Sequence, residues 1–239
     1  MRIHSFGWVL ALTALASTPV LFSQSAQRRA NAKPAAASAV SDFSGVWFIR
    51  KYSRSILPKE DPPLQPEAEK LFQQRVYDNS HHDPDQSVDP TEKCIPPGVP
   101  RTMLQPFPWE IVQAPGRIVI IYEYQAIPRQ IFMDGRAHPA DLEPTYMGHS
   151  IGKYEGGTLV IDTVGLNDKT WLDPMGLPHS DAMHVIERLR RTDRDTLVDD
   201  VTIDDPKTYT KPWTAQITFK LHTDWQIQEY VCAENNRSK

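Results

Sequence analysis

The chain has 239 residues, 40% of them hydrophobic and 23% charged, which is enough to bury one sizeable core in one large or two small domains. Its formal charge of −4, with no basic patch interleaved with aromatics, gives nucleic acid no foothold. Twenty-one prolines against eleven glycines disfavour long helices.

The first element is a targeting signal over residues 1–25. Arg2 precedes an apolar run from Gly7 to Phe22, and Ser23-Gln24-Ser25 offers small residues for cleavage. The run is short and rich in Ala and Thr for a membrane span, so no stable span is expected after cleavage. Residues 26–41, AQRRANAKPAAASAVS, are small, polar and aperiodic, and read as a disordered linker. A periplasmic or secreted location follows, where two cysteines are expected to pair rather than stay free: Cys94 with Cys232.

The folded part, 42–236, opens with a strand over Val46–Tyr52. Its Gly45-Val46-Trp47 resembles the first strand of lipocalin and calycin barrels, where the Trp closes one barrel end. Six prolines between Pro58 and Pro90 leave room for one short helix, from Pro66 to about Tyr77, with Pro and acids in its first turn. His81-His82-Asp83 then reads as a solvated loop, since no third ligand lies close by.

From Trp109 the period becomes two. Trp109–Gln113 and Arg117–Tyr124 flank Ala114-Pro115-Gly116, and Arg129–Asp134 ends at an Asp-Gly turn. Ser150–Glu155 and Thr158–Val164 flank Gly156-Gly157. His184–Arg191 fits either period, but the turn Thr192–Asp195 and the adjacent run Thr196–Ile203 favour a hairpin. Trp213–His222 alternates cleanly, and Trp225–Cys232 reads as a further strand. About ten short antiparallel strands in sequence predict a mainly β fold with one short N-terminal helix. Closing them into a single up-and-down barrel removes the exposed edges.

From Cys94 onward, CIPPGVPR, PWEIVQAPGRIVIIYEY, GHSIGKYEGGTLVIDTVGLNDKTWLD, PHSDAMHVIERLRR and VTIDDPKTYTKPWT resemble a family of uncharacterised exported bacterial proteins. The resemblance implies export and one β-rich, lipocalin-like domain. It implies no activity and no catalytic residues.

Reactive side chains concentrate between Asp134 and His184. Gly148-His149-Ser150-Ile151-Gly152 matches the G-x-S-x-G of serine hydrolases, but no helix follows it and no parallel α/β sheet is in prospect, so that reading fails. His138, Asp141, His149, His179 and His184 lack metal-ligand spacing, and neither a metal nor another cofactor is expected. Acid–base chemistry fits better, because imidazole titrates near neutrality and a neighbouring carboxylate fixes its tautomer. The candidate catalytic residues are therefore His138, Asp141, His149, His179 and His184. Tyr122, Tyr146, Asp168, Trp171 and Asp181 are candidates for binding a small organic ligand. The loops 134–147 and 166–184 are expected at one barrel rim, bringing these residues together.

Asp199-Asp200 and Asp204-Asp205 lack the glycine of a calcium loop and read as a solvated hairpin end. Arg188, Arg190 and Arg191 read as cross-strand ion-pairing residues. The function expected is proton transfer on a small molecule, of isomerase, cyclase or lyase type. The alternatives are a non-catalytic ligand carrier and an envelope interaction protein.

Overall fold

A computed structural model describes residues 42–57, 61–81 and 88–235. The expected signal and linker lie outside these residues, as do His82 and Asp83. Nine strands close into a barrel in chain order. They are β1 (Gly45–Ile49), β2 (Trp109–Ala114), β3 (Arg117–Tyr122), β4 (Pro128–Phe132), β5 (His149–Glu155), β6 (Thr158–Val164), β7 (His184–Asp193), β8 (Thr196–Asp204) and β9 (Trp213–His222). The ambiguous run from His184 is a strand, because it pairs along its length with both β6 and β8.

The hairpins form where local chemistry turns the chain. Ala114 pairs with Arg117 across Pro115-Gly116, and Gly116 takes the positive φ of 75° that an L-residue resists. Two expectations are corrected. Trp225–Cys232 is not a strand: β1 already pairs with Phe219–His222, the part of β9 next to this tail, so that stretch of edge is taken. The barrel is also not antiparallel throughout. Stepping around a closed ring of nine strands, direction cannot alternate at every step, and one pair must be parallel. That pair is β4–β5, with Ile131 opposite Ser150 and Phe132 opposite Ile151.

The segment 133–148 must therefore cross back from the end of β4 to the start of β5. It is fastened at its far end by Thr145, which accepts from Asn167 N at 2.9 Å and donates its own N–H to Gly165 O at 2.9 Å. The tight turns 114–117, 155–158 and 193–196 share one barrel end, and the long connections, including 165–183, gather at the other.

Inward residues alternate along every strand. Trp47, Ile111, Ile120, Ile161, Val185, Leu197 and Phe219 form the apolar centre, each at most 1% exposed. Trp109 meets Phe219 edge-on at 4.9 Å between ring centroids. Burying such side chains contributes about 1.5–3 kcal/mol each.

Helix α1 (Pro66–His81) runs a turn beyond the expected Tyr77. Its last turns are held by the 165–183 loop: Asn79 Nδ2 donates to Pro174 O at 2.7 Å, and Arg75 Nη1 to Gly176 O at 3.2 Å. A short C-terminal helix, α2 (Cys232–Asn235), carries the second cysteine. Cys94 and Cys232 form the expected disulfide, with Cα atoms 5.7 Å apart. The tail before it is held by ring contacts, Trp225 on His222 and Tyr230 against Phe107 and Tyr124.

Candidate functional site

Three of the five candidate catalytic residues meet around Asp162, on the outer wall of the barrel. Alternation explains the face. Ser150, Thr163 and Val185 point inward, at 2%, 0% and 0% exposure, so their neighbours His149, Asp162 and His184 point out. The β5–β6–β7 register puts all three on one face, with His149 opposite Val164 and Asp162 two residues further along β6, opposite Ile151 and Ile186. His138 reaches them from the crossover.

The contacts form a chain. Asp162 Oδ1 lies 2.7 Å from His184 Nε2 and 3.1 Å from His138 Nε2, while His138 Nδ1 lies 2.8 Å from His149 Nδ1. The carboxylate can only accept, so both Nε2 atoms donate to it. Neutral His138 is then an acceptor at Nδ1, and His149 donates there. This leaves a lone pair on His149 Nε2. Burial, then the charges of His138 and Arg136, lower the pKa of His149 and favour its neutral form. The ring also stacks on Phe132 at 5.2 Å, and Arg136, paired with Asp134, covers Phe132 at 3.9 Å.

The other candidates lie elsewhere. His179 is 8% exposed; its Nδ1 donates to Ser180 O at 3.2 Å and its Nε2 accepts from Thr170 Oγ1 at 2.7 Å. Asp141 and Asp168 are exposed, and Asp181 pairs with Lys207 at 2.6 Å in solvent. Trp171 is buried under Arg75 and Tyr146 is half-buried. The two loops do meet, through Thr145 with Gly165 and Asn167, and His138 shares Asp162 with His184, but the hydrogen bonds of His179 go to Thr170 and Ser180 instead. The crossover carries His138 along the outer wall, while His179 is built into the loop end. Clefts of about 550 and 1010 Å³ open on the barrel, and among the described residues no histidine lines either one.

Tyr122 belongs to a second polar group, inside the barrel. Arg129 holds Glu187 with two guanidinium nitrogens and also donates to Ser150 Oγ at 3.1 Å and Thr163 Oγ1 at 2.8 Å. Ser150 is therefore a buried structural hydroxyl, as its sequence context requires. Burial raises Tyr122 to about 12. Asp199 is fully buried, and neither carboxyl oxygen meets a hydrogen-bond partner among the described residues. Burial, then the nearby charge of Glu187, pushes its pKa well up. This corrects the solvated hairpin end: Asp199 is an inward residue in mid-strand, and Asp205 is buried too, accepting from Ser180 N and Oγ at 2.6 Å each. Arg188 and Arg190 make the expected cross-strand pairs, with Glu155 and Asp200.

Sequence reasoning passed over Asp162 as a site residue, although an acid inside the apolar run TLVIDTV is itself a sign of an outward position. Among the described residues, no group of three or more His, Cys, Asp or Glu is arranged to hold a metal ion. No helix among them is long and apolar enough to cross a membrane. No family model, curated protein or solved structure matches the chain.

Proposed function

We propose that this protein is an exported, lipocalin-like barrel that transfers protons on a small organic molecule, as an isomerase, cyclase or lyase would. The observation that carries this reading is the hydrogen-bonded chain His149–His138–Asp162–His184. His149 Nε2 is its free base. A proton taken there makes His149 a cation beside His138, and Asp162 anchors and electrostatically stabilises the pair. The lowered pKa keeps the base unprotonated near neutrality, and the Phe132 ring and Arg136 give one side of the site a flat, cationic wall.

The test is exchange of acidic C–H protons. A panel of enolisable ketones in D2O, followed by NMR, should be deuterated faster with the mature protein than with its His149→Gln and Asp162→Asn variants. Rates equal in all three would exclude the relay. The carrier reading has its own support, since among the described residues no histidine lines these clefts. It predicts ligand binding unchanged in both variants.

A further inference from the structure

Strand β1 ends at Ile49, but its neighbour β9 continues past it. The last main-chain bond between them is Arg50 N to Thr218 O, at 2.9 Å. Main-chain groups alternate sides along a strand, so those of Thr214 and Gln216 point the same way as Thr218. Trp213, Ala215 and Ile217 turn theirs to β8, in the sense of Leu221 N, which donates to Asp195 O. Among the described residues, nothing bonds to the main chain of Thr214 or Gln216 on the vacated side. Two N–H and two C=O groups there form an open sheet edge.

That edge faces the larger cleft, of about 1010 Å³. Ile49, Ile56, Leu104 and Ile217 supply an apolar floor, while Arg50, Lys51 and Lys211 stand on its rim, with Asp61 the one carboxylate among the described residues. Lysines beside a sheet edge can simply discourage pairing. Here the open groups lie next to an apolar floor wide enough to be covered, which edge protection does not require. From Trp213 to Ile217 the edge is five residues long, about 16 Å at strand rise.

We propose that the Thr214–Gln216 edge accepts an extended peptide of another protein as an added strand. Alternate side chains of the peptide are apolar and face Ile56 and Leu104, and the others are carboxylates facing Lys51 and Lys211. Such strand addition takes affinity from main-chain bonds and selectivity from alternate side chains. Charge decides against the chain's own segment 26–41, which carries Arg28, Arg29 and Lys33 and no acid. This site is separate from the histidine chain and does not depend on it.

The probe is a capped hexapeptide alternating Glu and Val, titrated into the mature protein while the amide signals of Thr214 and Gln216 are followed by NMR. Both signals should shift saturably and gain protection from exchange. The Lys51→Glu, Lys211→Glu double variant, changed only at exposed positions, should bind about tenfold more weakly or worse. N-methylation of alternate peptide nitrogens should abolish binding in one register and spare it in the other. The proposal is overturned if the two amides do not respond, if a Lys–Val peptide binds as well, or if both methylated registers behave alike. Filling of the cleft by decanoate but not by the peptide would overturn it too, in favour of a small amphiphilic acid.

Discussion

His179 and His149 both carry lowered pKa values, but from different surroundings. Burial is the first cause for both, but His149 stands in a partly solvated chain where the charges of His138 and Arg136 add to it. The more deeply buried His179 is bonded to Thr170 and to Ser180 O, the latter bond partly opposing the shift. The sign of its effect on stability follows. Unfolded, His179 binds a proton near its ordinary value of 6.5; folded, it does so only at lower pH. The unfolded state thus holds more protons as pH falls below 6.5, and stability is lost over that window. Denaturant midpoints should fall as pH is lowered from 7 toward 5, and His179→Gln should flatten that slope. An unchanged slope in the variant would assign the loss to other groups. At this scale the residues were legible and their company was not. An acid in a strand can be counted inward or outward from its alternation, but Asp162 beside His138 depends on a crossover path that no local pattern encodes.

The elements show where that legibility stops. Turn chemistry marked the hairpins correctly at Pro115-Gly116 and Gly156-Gly157. One tail segment read as a strand changed the topology: ten strands can close antiparallel throughout, and nine cannot. Nothing in Trp225–Cys232 itself distinguishes a strand from a tail held by rings; the decision lies with β1, which occupies the edge first. The crossover makes a demand of its own at Gly148. Its φ is +64°, and an added Cβ would lie 2.7 Å from Val164 O, backbone that cannot swing aside. Gly156 has a similar φ of +61° with nothing within 4 Å. Gly156→Ala should therefore cost about 1–2 kcal/mol from conformation alone. Gly148→Ala should cost clearly more, because the overlap adds to it. Urea unfolding of the two variants decides it, and equal losses would mean that the crossover yields.

For the molecule as a whole, the Cys94–Cys232 bridge ties the approach to the barrel to its final segment across a sequence separation of 138. Closing so long a loop in the unfolded chain is worth about 4–5 kcal/mol in the chain-entropy model. Cys94→Ser with Cys232→Ser should lower the unfolding free energy by an amount of that order, and reductant should have no further effect on the double variant. A loss below about 1 kcal/mol would mean that the tail's ring contacts already do the work. The pairing was legible because two cysteines admit one intramolecular partner each. The interior polar group was not, since Arg129, Glu187 and Asp199 lie on three strands and look like ordinary surface charges in sequence.

Closure of the barrel by its first and last strands sets an order of events for a chain that emerges N-terminus first. Val46 must wait for His222, and Ile49 for Phe219, before β1 gains its second neighbour. Until then each new strand offers a bare edge to whatever is near, and the hairpins β5–β6 and β7–β8 can assemble while the seam stays open. A pause during synthesis would hold the protein as a growing open sheet, and the last strand to arrive would act as its fastener.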